Sequence, residues 1–358
     1  MSSPYPIDLE LLAHQGWLSL PMDESDPLYS AFADLFQSSA QFFTLPEEEK
    51  MRYKIEVQDT SRASEEGYSH VIGEKSLVTL RKAKTTPTEF DLLERAQKAW
   101  KASAEVMRDV TLSIEDSLGM QRGALEKTIG PQLELPAEQT HASLMRMFRY
   151  ERPVQSSEPQ VVSEAHRDLG LLTIVVGHTP GLECWSLEQQ KWISCEEQNT
   201  SRLSVTIMTG QTLALFTNQR YTSGRHRVLV HPVTEQNAPS DEPLQNPAYR
   251  FSLVHALRAH YPVVVSSSDF ATPVTGFYAP PSQFSGVPIR EIYKAISSAH
   301  WNVNIDPEIR RRQQEEALEK TQLLSQHTLS ESPQHEEEPS SKRRSFTISS
   351  IKAIFKRH

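Results

Sequence analysis

The hydrophobic repeat of this chain changes once, and that change limits the folds open to it. Between Leu28 and Leu118 apolar residues recur every three or four positions, whereas from about residue 141 they recur every second one. The first spacing belongs to helices and the second to strands. Leu28, Phe32, Leu35, Phe36, Phe42 and Phe43 predict one amphipathic helix, opened by Asp26-Pro27 as N-cap and first helical residue and ended near Leu45-Pro46. Leu92, Ala96, Trp100, Met107, Val110, Ile114 and Leu118 predict a longer one, running from a capping box at Thr86-Pro-Thr-Glu89 to a stop at Gly119 along the back of a sheet. Around these, residues 6–20 read as turns and short strand, and residues 56–86 as a polar, irregular connection.

Strands follow. They are expected at Leu144–Tyr150, Leu171–Val176, Gly181–Leu187, Lys191–Cys195, Leu203–Met208, Thr212–Phe216, His226–Val230 and Arg250–Leu257. Short strands at this density, broken by Gly, Pro and Asn, indicate a barrel or a two-sheet sandwich. Ile289–Ile296 and residues 306–324 suit helices, and residues 325–345, rich in Ser, Glu, Pro and Lys, suit a disordered segment. The basic end, Lys342 to His358, would place Ile348, Ile351, Ile354 and Phe355 on one helical face and could touch an acidic partner or an anionic membrane surface. The fold class is therefore mainly β with flanking helices (α+β): a helical N-terminal region over 1–125, a catalytic core over 126–300 and a charged tail over 301–358.

Composition excludes several functions. The net charge of −9 argues against a nucleic-acid partner. Cys184 and Cys195, the two cysteines, are too few for a disulfide framework and fit a reducing compartment, packed on a hairpin rather than reactive. The first residues lack a basic stretch with an apolar core, and no apolar run reaches membrane-spanning length, so a cytoplasmic location is expected.

The chemistry centres on Glu164-Ala-His-Arg-Asp-Leu-Gly170, which holds the chain's one His-x-Asp. On one strand, His166 and Asp168 would project from the same face and offer a metal two ligands. His226, which opens a later strand, would complete two histidines and one carboxylate, a set that leaves positions open on Fe(II); zinc accepts the same ligands. Arg250 and Ser252 also share a face, and a guanidinium beside a hydroxyl can grip a carboxylate. That carboxylate could belong to a small molecule or to a neighbouring acid of the chain.

Further stretches align with these: Gln15-Gly-Trp-Leu, Phe42-Phe-Thr-Leu-Pro-Glu-Glu-Glu-Lys, Gly67-Tyr68, Pro180-Gly-Leu-Glu183, Lys191-Trp192-Ile, Thr209-Gly-Gln-Thr-Leu213, Asn218-Gln-Arg-Tyr-Thr-Ser223 and His226-Arg-Val228. In order and spacing, over roughly residues 7–300, the sequence resembles the 2-oxoglutarate/Fe(II)-dependent dioxygenases of the isopenicillin-N-synthase-like family, in a fungal-type form. The resemblance implies a distorted double-stranded β-helix (jelly roll) with a helical N-terminal region. It also implies His166, Asp168 and His226 as Fe(II) ligands and catalytic centre, with Arg250, Ser252 and Tyr150 binding 2-oxoglutarate. Oxygen would be the oxidant, ascorbate a support, and the outcome hydroxylation or desaturation of a small organic substrate, a type of reaction found in secondary metabolism. Departures from the family pattern are Phe148-Arg149 and Glu151 around Tyr150, Gln211 in place of an Asp, and a longer link from His226 to Arg250. Arg146 and Phe148 share the face of Tyr150 and are candidates for the substrate wall, Arg146 for an anionic group. Residues near Tyr68 and from Phe277 to Phe284 are candidates for a lid. An Fe(II) oxidase that dispenses with 2-oxoglutarate, and a degenerate binding protein acting through its tail, are the competing expectations.

Overall fold

The structure is a computed structural model of the chain, describing residues 6–55, 66–130, 133–153, 158–196, 203–233, 240–280, 282–297, 308–313 and 315. The basic end of the tail, from Lys342 on, lies outside the described residues. In chain order the elements are α1 (Leu9–Gln15), β1 (Trp17–Pro21), α2 (Pro27–Thr44), α3 (Glu47–Met51), β2 (Gly67–Val71), β3 (Lys75–Leu80), α4 (Leu92–Ser117) and α5 (Glu126–Ile129). The strand-rich half holds β4 (Leu144–Glu151), β5 (Gln160–Arg167), β6 (Leu172–Gly177), β7 (Leu182–Ser186), β8 (Lys191–Ser194), β9 (Ser204–Thr209), α6 (Gln211–Phe216), β10 (Arg225–Val230) and β11 (Tyr249–Leu257). A small hairpin of β12 (Val264–Val265) and β13 (Val287–Pro288) and the helix α7 (Ile289–Ser297) follow.

Two antiparallel sheets face each other. One has seven strands in the order β1-β9-β6-β11-β4-β3-β2, and the other four in the order β5-β10-β7-β8. This is the jelly roll expected, mostly antiparallel sheet with flanking helices. The alternation along β4 sorts its side chains as its sequence dictates. Met145 and Met147 join the larger core under the helices, while Phe148 and Tyr150 join the smaller core between the sheets. In the larger core α2 supplies Phe32, Phe36, Phe42 and Phe43, and α4 supplies Trp100, which lies against His255 of β11 at 4.3 Å between ring centroids. Fully burying one such side chain contributes about 1.5–3 kcal/mol, so this helical layer anchors the large sheet.

Four local expectations change. Residues 67–80, expected to be irregular, form the hairpin β2–β3: every residue of β3 is buried, so it shows no alternation of apolar and polar residues. Thr212–Phe216, expected as a strand, is the helix α6, entered through Gly210 as N-cap. The first turns form α1, capped by the Asp8 carboxylate on the Leu11 amide. The capping box at Thr86 does not form; the Thr86 hydroxyl donates to the Lys82 carbonyl, and α4 begins after a tight turn at Phe90-Asp91 with positive φ at both residues. Gly16, at φ +81°, closes α1, and a β-carbon there would lie 2.5 Å from the Gly224 backbone nitrogen. The N-terminal turn is thus pressed against the loop that leads into β10.

Candidate active site

β5 and β10 pair so that His166 and His226 sit directly opposite each other, with ring centroids 4.2 Å apart. β5 ends at Arg167, so Asp168 lies just beyond it, in the turn to β6, rather than on the same strand as His166. The ligand atoms still converge: His166, Asp168 and His226 each offer one within 4.8 Å of the others, and His166 Nε2 lies 3.9 Å from Asp168 Oδ1. The Asp168 turn is held from α6, because the Gln211 amide N–H donates to the Asp168 carbonyl (2.8 Å) and its side-chain amide to the Arg167 carbonyl (3.2 Å). That is the work of Gln211, which the sequence showed only as a departure from a family pattern.

Both imidazoles are oriented from behind. His166 Nδ1–H donates to the Glu164 carbonyl at 2.7 Å and His226 Nδ1–H to the Gly224 carbonyl at 3.4 Å. A carbonyl only accepts, so Nδ1 carries a proton in both rings and Nε2 faces inward. Burial, and then the neighbouring His226, push His166 down to about 3, so it is neutral at ordinary pH. Burial alone would raise the Asp168 carboxyl; His226 and His166 outweigh it and hold it below its usual range. Asp168 Oδ2 is buried with no hydrogen-bond partner. Two inward-facing imidazoles and an ionised, under-satisfied carboxylate suit a divalent cation.

Arg146, Phe148, Tyr150, Ser163, Val175, Leu182, Val228, Arg250, Ser252 and Val254 line the same pocket with His166, Asp168 and His226. Arg250 is 1% exposed. Gly177 and Gly181 leave room for it, since a β-carbon on either would lie 2.5 Å from a guanidinium nitrogen. Its Nη2 meets both oxygens of the buried Glu196 at 3.0 Å, its Nε donates to the Thr179 carbonyl at 3.0 Å, and its plane lies 5.5 Å from the Tyr150 ring centre. Nη1 is buried and has no partner among the described residues. The arginine is therefore paired with an acid of the chain and still keeps one donor for a ligand. Burial raises the Tyr150 phenol above its usual value, against the pull of Arg250 and of a hydrogen bond with Ser252. Glu196 is a residue that the sequence did not single out; nothing in Cys195-Glu-Glu points to a partner 54 residues away.

Of the lid candidates, Tyr68 is fully buried with its hydroxyl on Glu47, away from the pocket walls, and Phe277 is 79% exposed. Cys184 and Cys195 are free thiols in the inter-sheet core, and burial pushes Cys184 up. No helix of the described residues is long and apolar enough to cross a membrane.

Residues 142–258 match the model of the 2OG-Fe(II) oxygenase superfamily, so the chain carries a domain of that superfamily. The protein is an oxidoreductase of the Fe(II)- and 2-oxoglutarate-dependent kind. No curated protein matches it by sequence. Among solved structures it is similar to a full-length Neurospora crassa protein in complex with alpha-KG (18% identity, 78% of this chain and 84% of that one, TM-score 0.58). It is also similar to JOX2 in complex with 2OG, Fe and JA (13%, 83% and 80%, TM-score 0.60). A third is the dioxygenase for auxin oxidation 1 from Arabidopsis thaliana, as a 2-oxoglutarate complex (15%, 74% and 91%, TM-score 0.53). At these identities the likeness is one of fold.

The pocket fits both groups that such an oxygenase uses. Its two orphaned buried polar atoms are a carboxylate oxygen beside two imidazoles, which suits a cation, and a guanidinium donor beside two hydroxyls, which suits an anionic carboxylate.

Proposed function

We propose that the protein oxidises a small organic molecule, by hydroxylation or desaturation, as an isopenicillin-N-synthase-like oxygenase of fungal type. The reading rests on the convergence of His166, Asp168 and His226 in a pocket whose other end carries Arg250, Ser252 and Tyr150. His166, Asp168 and His226 hold Fe(II). Arg250 Nη1, Ser252 and Tyr150 receive the distal carboxylate of 2-oxoglutarate. Fe(II) with 2-oxoglutarate supplies the oxidising power when bound: for a hydroxylation, R–H, O₂ and 2-oxoglutarate give R–OH, succinate and CO₂. The chain supplies the rest. The Glu164 and Gly224 carbonyls fix the imidazoles, and Val175, Leu182, Val228 and Val254 keep the pocket wall apolar and exclude water. Phe148, stacked on Tyr150 at 5.3 Å, forms the wall a substrate meets. Arg146, whose Nε donates to Thr79, presents a cation at the same wall and favours a substrate with an anionic group.

The test is an anaerobic titration with Fe(II) and 2-oxoglutarate, watching for the visible metal-to-ligand charge-transfer band. The band is expected in the intact chain and lost in His166→Ala and Asp168→Ala. No band in the intact, folded chain overturns the reading.

A further inference from the structure

Arg310 stands in the helical turn at 308–313, beyond α7, yet it is 6% exposed. Its guanidinium is spent on two carboxylates. Nη2 lies 2.5 Å from Glu74 Oε1 and Nη1 3.3 Å from Glu74 Oε2, while Nε lies 3.1 Å from Glu164 Oε1. These acids belong to different sheets. Glu74 immediately precedes β3, near one edge of the seven-stranded sheet, and Glu164 is on β5, an edge strand of the four-stranded sheet. A second bond crosses the same gap: the buried Lys75 ammonium donates to the Val162 carbonyl of β5 at 3.0 Å. Lys75 is pushed down to about 7, chiefly by burial, and it feels Arg310 and Arg146 as cations and Glu74 and Glu164 as anions. The seam between the sheets is thus closed by charged side chains where, among the described residues, no strand-to-strand ladder spans it.

What the seam holds is the strand of His166. Glu164 gives its side chain to Arg310 and its carbonyl to His166 Nδ1, so one residue joins the C-terminal segment to the imidazole. A planar guanidinium can bridge two carboxylates with fixed geometry, which an ammonium cannot. Without it, Glu74 and Glu164 face each other across the gap as like charges.

We propose that Arg310 is a positioning residue for the metal site: a latch from the C-terminal segment that ties the two sheets together and fixes the His166 strand. The proposal rests on the reading of His166 as an iron ligand. It makes the helical turn at 308–313 part of the oxygenase site.

The full chain is titrated anaerobically with Co(II), whose ligand-field bands report coordination geometry, and amide exchange is followed over residues 160–167. Arg310→Met is expected to bind Co(II) about tenfold more weakly, the range seen when an outer partner of a ligand is removed. Its bands at saturating metal shift, and exchange across β5 quickens. Arg310→Lys falls between Arg310→Met and the parent chain. Glu164→Gln, which keeps the shape and the carbonyl, moves the same way by less. His166→Ala is the control. If it binds Co(II) like the parent, the iron reading fails. If it loses Co(II) while Arg310→Met keeps parental affinity, bands and β5 exchange, the latch fails, even with a lowered Tm. Should Arg310→Met not fold, parental behaviour of Glu164→Gln in all three readouts overturns the latch.

Discussion

The two ends of the pocket treat charge in opposite ways. At the ligand end Asp168 keeps an oxygen unpartnered among the described residues, beside two imidazoles, so the charge waits for something from outside. At the other end Arg250 is already neutralised by Glu196, with one donor left over. The first end can gain strongly from a cation, because Asp168 Oδ2 has no hydrogen-bond partner among the described residues. The second contributes direction more than net attraction, since a carboxylate arriving there meets an arginine that has its counter-ion. Metal is thus expected to dominate ligand-induced stabilisation, with the dicarboxylate adding a smaller increment.

The largest effect that tests this contrast is at Asp168. Asp168→Ala should weaken Fe(II) binding by more than ~100-fold, since even outer partners of ligands cost about 10–100-fold. Equilibrium dialysis under anaerobic conditions measures it, and near-parental retention would remove Asp168 from the ligand set. Next is Arg250→Met. It leaves Glu196 as a buried carboxylate without its cation, a change that costs about 3–5 kcal/mol. Chemical denaturation should show the loss and steady-state kinetics a raised KM for 2-oxoglutarate.

Glu196→Gln probes the same pair from the other side. It removes the competing charge and keeps an oxygen acceptor for Arg250. 2-Oxoglutarate should bind about fivefold more tightly, the difference of ~1 kcal/mol between an ordinary and a charge-assisted hydrogen bond. Calorimetry decides, and weaker binding would mean that Glu196 assists the anion. A further effect lies outside the pocket. His255 is held at about 3 and His141 at about 4, both chiefly by burial, against 6.5 for a free imidazole. The unfolded chain therefore takes up these protons from about pH 6.5 downward, and the folded chain does so only near pH 3–4. Stability from these groups is complete above about pH 6.5 and is lost as the pH falls toward 3, with a slope of up to about 1.4 kcal/mol per pH unit for each. His255→Asn should flatten that slope in denaturation curves taken at pH 6, 5 and 4.

Sequence legibility follows the range of the interactions. β4 and β11 were legible because each alternates between two different environments, and His166, Asp168 and His226 because two of them form a local motif. Lys75-Ser-Leu-Val-Thr-Leu80 was not legible, since β3 is buried along its whole length and its Lys and Ser look like loop residues. Thr212-Leu-Ala-Leu-Phe216 alternates well enough for a strand, but the chain must turn at Gly210 to hold Asp168, and a short apolar run fits either structure. Glu196 and Arg310 were invisible for another reason. Their partners lie 54 and 236 residues away, and no periodicity encodes such a pairing.

The reach of Arg310 has a consequence for synthesis. Glu164 leaves the ribosome roughly 150 residues before Arg310, and at about 5–20 residues per second that gap lasts roughly 7–30 s. Through that interval the half-built barrel holds two facing acids with no guanidinium between them. A nascent chain halted before residue 310 would carry His166, Asp168 and His226 with Lys75 as the remaining bridge across the seam. If Arg310 is the latch, the site reaches its full metal affinity only after residue 310 has been made.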